Sequence, residues 1–530
     1  MARHSRFRLV PALALALALG LAAVGVAAAD GRTALSPEQR ALHVLDRLGY
    51  GPAPGDLDRV MHMGVDAYVE QQLHPETLRD PPALSTRLDA LETLKLSSAD
   101  LYADYGPPAR RAAGGDQAAV DRVNQRQNRV ADQAREARLL RAIYSPAQLQ
   151  EAMVDFWFNH FNVFIDKGQE DKIWTAAYER DAIRPYALGR FRQLLFATAT
   201  HPAMLYYLDN WQSSAVSVDK NGHSHGGLNE NYAREVMELH TLGVDGGYSQ
   251  ADVTELARIL TGWTFVPKEL ENRGLAFHFD PKRHDYAAKR FLGRSFPEGG
   301  GVDEGERALD MLAASPATAR HIAFELAQYF VADRPPPKLV DRLAQRFMKN
   351  GGDIRDTLAL LFKSPEFWDP RNVAAKYKTP YQYVVSSVRA SGLPMALNVR
   401  PLLGALYQNG QPLYACLTPD GYKNTQAAWL NPDAMIYRLN FANALGSGNL
   451  PLWQVPPAPA AQPAMAGGLM DARAVAAPMP TPAKPQPPDP FVMQATLGAG
   501  FSLDTAEALA AARPPLRPGL MLGSPEFMRH

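Results

Sequence analysis

The chain has 530 residues, 55 basic side chains against 55 acidic ones, and a single cysteine, Cys416. One thiol excludes an internal disulfide, so stability must come from core burial, and this length can supply one large core or a few ordinary ones. Balanced charge without a dense Lys/Arg run offers no phosphate-binding stripe and argues against a nucleic-acid partner.

The N-terminus carries Arg3, Arg6 and Arg8, an apolar run from Leu9 to about Val26, and Ala27-Ala28-Ala29 before Asp30. That is the order of a secretory signal peptide. The run could also stay as an anchor, but the small-residue site directly after it favours cleavage. No cysteine stands directly after the run and no paired arginines precede it, which argues against a lipid-modified N-terminus and the twin-arginine route. Residues 1–29 are therefore read as a Sec signal peptide, and a periplasmic or secreted protein with no stable membrane span after cleavage is expected.

Helix signals dominate the rest of the chain. Ser36, Pro37 and Gln39 form an N-cap, a first-turn proline and a capping-box partner, and Ala41, Leu42, Leu45 and Leu48 give an apolar stripe ending at Gly49. Residues 117–144 are rich in Gln, Arg, Asp and Ala and read as a long helix with a solvated face. Spacings of three and four between apolar residues predict helices over 146–164, 181–200, 315–330, 339–349 and 353–362. Strand-like alternation is scarce. The expected fold is mainly α, a large multi-helix globular body built from helical hairpins with few or no strands.

The main domain is placed at 30–453. A Pro/Ala-rich tract at 454–490 has almost no branched or aromatic residues and reads as a linker or loop. The tail, 491–530, repeats LLFKSPEF of 360–367 as LMLGSPEF at 520–527, and its Leu, Met and Phe residues predict that it packs back on the main domain.

The densest polar stretch is GLNENYAREVMELHTLGVDGG, 227–247. At roughly 100° per residue, Glu230, Asn231, Arg234, Glu235 and Glu238 share one arc, while Tyr232, Ala233, Val236, Met237 and Leu239 fill the other side with His240 among them. Ser249 and Asp252 cap a following helix, so a helical hairpin is expected, turned by Gly243, Gly246 and Gly247. The spacing of Glu230, Arg234 and Glu238 lets one guanidinium bridge two carboxylates. On an outer surface this is only a solvated ladder, whereas in a cleft a carboxylate pair beside an arginine can act as general acid and base. His240 points inward, either as a core histidine bonded to a carbonyl or as a group titrating near neutral pH.

Asp219, Asn221, His223, His225 and Glu230 stand at positions 1, 3, 5, 7 and 12 of the preceding loop, which resembles a calcium loop, but Ser224 replaces its glycine. His-x-His with Glu230 would suit zinc better. The segment is read as an ordinary His/Gly loop, and neither a metal nor any other cofactor is assigned.

Six stretches together resemble the bacterial domain of unknown function 1800 family: LDRLGYGPAPGDLDRV near the start, FWFNHFNVF at 156–164, HPAMLYYLDN at 201–210, LNENYAREVMELHTLGVDGGYSQADVTELARILTGW at 228–263, FHFDPKRHDYAAKRFLG at 277–293 and WLNPDAMIYRLNFANAL at 429–445. The resemblance spans nearly the whole mature chain. It implies an exported, largely helical protein, often encoded beside a sulfatase-like partner, and carries no settled activity. The matching polar positions are Asn159, His160, Asp209, Asn229, Glu230, Arg234, Glu235, His240, His284 and Asp285. The His223/His225 loop and the Pro/Ala tract depart from the pattern.

Dispersed His, Asp, Glu and Arg in a helical cleft are what a hydrolase or lyase needs. The favoured reading is an enzyme acting on a cell-envelope or extracellular polymer, with polysaccharide as a candidate partner. Glu230, Glu235 and His240 lie near the chemistry, Arg234 is a clamp, and His160, His284, Asp285 and Asp209 support them; Asn159, Asn229 and Trp263 contact substrate. The rival reading is a non-catalytic envelope binding or assembly protein working with the co-encoded partner. No His-Glu-x-x-His, Gly-x-Ser-x-Gly, phosphate loop or dinucleotide fingerprint is present, and Cys416 reads as a small buried apolar residue.

Overall fold

Short-range cap and spacing rules account for most of the elements. The structure is a computed structural model describing residues 34–218, 224–395, 397–452, 486–498 and 500–530. It is 61% helix and 3% strand, a mainly α body. The expected signal peptide, most of the Pro/Ala tract and residues 219–223 of the histidine loop lie outside the described residues. Among the described residues the strands make three antiparallel ribbons: Ser217–Val218 with Ser224–His225, Trp263–Thr264 with His278–Phe279, and Lys289–Phe291 with Arg294–Phe296. No described helix is long and apolar enough to cross a membrane.

Helix α1, Pro37–Arg47, starts with the expected reciprocal cap: Ser36 Oγ accepts from the Gln39 N–H at 3.2 Å and Gln39 Oε1 accepts from the Ser36 N–H at 2.9 Å. Helix α2, Gln117–Tyr144, has the predicted extent but not the predicted exposure. Its second half is core, with Val130, Ala134, Ala137, Leu139 and Leu140 at most 3% exposed. Alanines make that face look polar-poor rather than apolar in sequence, yet their small side chains admit close neighbours, and the buried Arg138 is neutralised by Asp155 and Glu179 at 2.5 and 3.2 Å.

Helix α3, Gln148–His160, is buried over most of its length. Trp157 is fully enclosed and donates through Nε1 to the Ala187 carbonyl at 3.0 Å. The continuous helix expected over 181–200 is instead broken. A π-helical turn, Glu179–Ile183, passes into a 3-10 turn, Arg184–Tyr186, before α4, Phe191–Thr200. Pro185 cannot donate to the ladder, and the wide turn sets Glu179 between Arg138 and Arg184, at 3.2 and 3.0 Å.

The hairpin consists of α5, Asn231–Glu238, and α6, Gln250–Ile259, the latter capped by Ser249 and Asp252. Beyond it lie α7, Pro316–Phe330, α8, Pro337–Lys349, α9, Ile354–Phe362, α10, Pro380–Ala390, and α11, Pro432–Gly446. After the tract comes α12, Arg517–Gly523, whose Gly519 backbone lies so close to Gly446 of α11 that a Cβ on Gly446 would sit 2.3 Å from the Gly519 nitrogen. The Lys378 N–H donates to the Met528 carbonyl at 2.9 Å, and the Tyr383 hydroxyl to that of Leu522 at 3.1 Å. The described residues from Ser36 to His530 thus form one compact unit. The repeated SPEF sequence builds the same turn twice: the Phe367 N–H donates to Ser364 Oγ at 3.3 Å and the Phe527 N–H to Ser524 Oγ at 3.1 Å, and each phenylalanine is buried.

Candidate functional site

A helix leaves its last carbonyls without intrahelical donors. Where the chain leaves α5, at the capping Leu239 and the residue after it, two carbonyls are taken by histidines from elsewhere. The Leu239 carbonyl lies 3.1 Å from His321 Nε2, and the His240 carbonyl 3.1 Å from His160 Nε2. His160 closes α3, while His321 stands one turn before Glu325 on α7. Glu325 joins the two rings, with Oε2 2.7 Å from His160 Nδ1 and Oε1 3.5 Å from His321 Nε2. Gly243, with φ +83°, lets the chain turn beneath His321; a Cβ there would lie 3.1 Å from His321 Nδ1.

Burial pushes the Glu325 carboxyl upward, but the charge and hydrogen bond of His160, then His321 and Lys423, outweigh it and hold the group below the usual carboxylate range. His240 is buried against Phe161, with ring centroids 5.0 Å apart, and lies 6.0 Å from His160. Burial first, then His160 and His321, keep it neutral, and its Nε2 has no hydrogen-bond partner among the described residues.

The His160–Glu325–His321 cluster lines a cavity of about 280 Å³. Tyr329, Tyr381, Tyr414 and Tyr422 contribute aromatic wall, and Arg138, Asp155, Glu238, Asp420 and Lys423 contribute charge. Segment 411–424 is fastened by two asparagines, Asn159 on α3 and Asn162 just after it. Asn159 Nδ2 donates to the Tyr422 carbonyl at 2.9 Å and its Oδ1 accepts from the Tyr422 N–H at 2.7 Å, while Asn162 Nδ2 donates to the carbonyls of Cys416 and Thr418. Gly421 makes this approach possible: its φ is +63° and a Cβ would stand 2.3 Å from the Asn159 carbonyl oxygen. Asp420 pairs with Lys423 at 2.5 Å. Burial raises its pKa, but bonds from Lys423 and Thr418 prevail and hold it low.

The sequence profile of the family described as Protein of unknown function (DUF1800) matches residues 43–529. The chain belongs to the DUF1800 family. No curated protein and no solved structure gives a significant match.

In this DUF1800 protein the cavity gathers His160 and Asn159, with His240 directly behind them. Glu235 is half-buried nearby; burial, then Glu238, raises its pKa, Arg234 opposes them, and Asp420 adds to the rise. Glu230 and Arg234 do not line the cavity. Glu230 accepts from Thr254 Oγ1 at 2.7 Å and Gln250 Nε2 at 2.8 Å, and Arg234 reaches Glu230 at 3.3 Å and Gln250 at 2.9 Å, so the pair brackets α5 to α6. Arg234 is not seen bridging to Glu238; that carboxylate accepts from the Tyr248 hydroxyl at 3.2 Å.

The remaining candidates lie apart from the cavity. His284 is sealed between the Thr261 carbonyl at 2.9 Å and Glu304 at 3.2 Å, and Glu304 also pairs with Lys289 at 2.7 Å. Asp285 pairs with Arg258 at 2.7 Å. Asp209 pairs with Lys167 at 2.8 Å, and Asn229 donates to the Asp209 carbonyl at 3.2 Å while capping Asn231. Trp263 is fully buried against Gly305, where a Cβ would be 2.2 Å from its ring. The DUF1800 resemblance did not single out His321, Glu325, Asp420 or Lys423. His321 and Glu325 carried one readable signal, an i, i+4 pair of a histidine and a carboxylate on one helix.

Proposed function

We propose that this protein is an exported enzyme, a hydrolase or lyase acting on a cell-envelope or extracellular polymer, with its reaction centre in the cavity between α3, α7 and segment 411–424. The observation that carries the reading is the convergence there of His160, His321 and Glu325, from elements far apart in sequence, beside the Asp420–Lys423 pair. Ionisable groups that converge in a cleft with aromatic walls are what acid-base catalysis requires. In hydrolysis the Glu325–His160 pair takes a proton from water as the water oxygen bonds to the electrophilic atom, and the leaving oxygen receives a proton from a second group, for which Lys423 is the candidate. Export rests on the leader-like N-terminus, and the substrate class follows from the polymers such a protein would meet.

The test is a screen of the purified protein against plain and sulfated glycans, sulfate esters and peptides, repeated with His160→Gln and Glu325→Gln. Turnover should fall at least about 100-fold in both, with the circular-dichroism spectrum unchanged. Full turnover in folded variants would remove the assignment. A second reading, assembly with a co-encoded sulfatase-like partner, is favoured by Ile436, Tyr437 and Leu439 on α11, which leave 41–56% of their surfaces exposed. Capture of that partner without turnover of any substrate would support it.

A further inference from the structure

We propose that His160, His321 and Glu325 form a binding site for one divalent transition metal ion of the zinc class. The proposal deepens the reading above by naming a cofactor for the same cavity, yet binding can be measured without any substrate. Its first support is geometry. One candidate ligand atom from each residue falls within 4.8 Å of the others. Donors about 2.0–2.1 Å from zinc at tetrahedral angles lie about 3.3 Å from each other. The contacts of 2.7 Å from Glu325 Oε2 to His160 Nδ1 and 3.5 Å from Glu325 Oε1 to His321 Nε2 lie on either side of that spacing.

A second support is the way His160 is held. A carbonyl can only accept, so the contact with the His240 carbonyl places a proton on His160 Nε2. Nδ1 faces Glu325, whose carboxylate also accepts, so an ion bound at Nδ1 would take the place of the proton between them. An imidazole whose far N–H is anchored to a backbone carbonyl is the usual outer support of a metal-bound histidine. His321 would offer Nε2, which requires its proton to shift to Nδ1 and releases the Leu239 carbonyl. Two imidazoles with one carboxylate select zinc, cobalt or iron over magnesium and calcium, which prefer all-oxygen sets.

Access is the third support. The side chains of His321 and Glu325 keep 24% and 29% of their surface exposed, whereas His160 is nearly closed off at 3%. The open side faces the cavity and leaves a fourth position for water, the arrangement of catalytic rather than structural zinc. With an ion there, His160 and Glu325 would serve as its ligands rather than as the base, and the ion would supply the nucleophile by lowering the pKa of its bound water.

The experiment uses the full chain purified without a histidine tag and stripped with chelator. Zn²⁺ alone is titrated by calorimetry and Co²⁺ alone by visible absorption. We expect about one ion per chain, a tetrahedral or five-coordinate Co²⁺ spectrum, and loss of more than the 10–100-fold in affinity that removal of an outer support typically causes in Glu325→Gln and in His321→Asn. His62→Gln, at an exposed histidine, should bind as the parent does. The near-isosteric Glu325→Gln keeps the test valid if a histidine variant fails to fold. Undiminished binding in both folded variants would overturn the site, as would absence of binding to the parent chain. Absence of metal with turnover still lost in His160→Gln would sink this inference and spare the proposed function; metal bound at one equivalent with no turnover of any substrate would do the reverse.

Discussion

Two His–Glu clusters among the described residues have nearly the same residue types and different surroundings. In one, His284, Glu304 and Lys289 are sealed, with side-chain exposures of 0%, 4% and 0%. The lysine ammonium lies 2.7 Å from the carboxylate, and both imidazole nitrogens of His284 have partners. In the other, two imidazoles share Glu325, no lysine or arginine pairs with that carboxylate among the described residues, and the cavity opens beside it. A sealed cluster with its own counter-charge can hold elements together but cannot admit a substrate. An open one, whose carboxylate is held by imidazoles rather than by a paired lysine or arginine, is where a cation or a transferred proton can be accommodated.

The largest expected effect tests that contrast directly. Lys289→Met leaves Glu304 charged and enclosed beside His284 alone, and removing one partner from a buried pair typically destabilises by roughly 3–5 kcal/mol. Glu325→Gln, at a partly exposed carboxylate, should change stability by less than about 1 kcal/mol. Denaturant unfolding of the two variants side by side checks both. Equal losses would mean that the second cluster is as structural as the first.

A smaller effect is expected at the cavity wall. Gly421→Ala puts a methyl group against the Asn159 carbonyl at a left-handed φ of +63°, which should cost about 1–3 kcal/mol and displace the segment that carries Asp420, Tyr422 and Lys423. The sealed cluster does not touch this segment. Any turnover found by the substrate screen should therefore fall further than unfolding data alone would account for, whereas a fall no larger than the loss of folded protein would separate segment 411–424 from the chemistry.

What could be read from the sequence divides along the same line between local and distant contacts. Caps such as Ser36 with Gln39 and Ser249 with Asp252 are settled within one turn, and the helical wheel correctly turned His240 and Tyr232 inward. A wheel says which side is polar but not what covers it. Glu230 and Arg234 attracted attention by density, yet they face Gln250 and Thr254 of the neighbouring helix. His160 and Glu325 meet across 165 residues of sequence, and no periodicity encodes that contact. The burial of α2 was hidden for a similar reason: Ala134 and Ala137 show no amphipathic stripe and become core only because other helices approach them. The break before α4 was legible in Pro185, whose missing N–H the apolar spacing overrode.

The smallest effect belongs to the bracket between α5 and α6, the surface counterpart of the two clusters. Glu230 is about one-third exposed and Arg234 somewhat more, at 33% and 39%, so their pair at 3.3 Å contributes under about 1 kcal/mol. The hydrogen bond from Thr254 lowers the Glu230 pKa most; burial opposes it, and Gln250 and Arg234 add to the lowering. Because the folded-state pKa is depressed, this contribution is complete above the ordinary glutamate range and disappears as pH falls through the lower folded-state value. Glu230→Gln should therefore shift the unfolding midpoint slightly at neutral pH and converge with the parent in acid. A shift that persists undiminished there would mean that Thr254 and Gln250 hold the hairpin through hydrogen bonds indifferent to the charge on residue 230, leaving the polar arc of α5 without an electrostatic role.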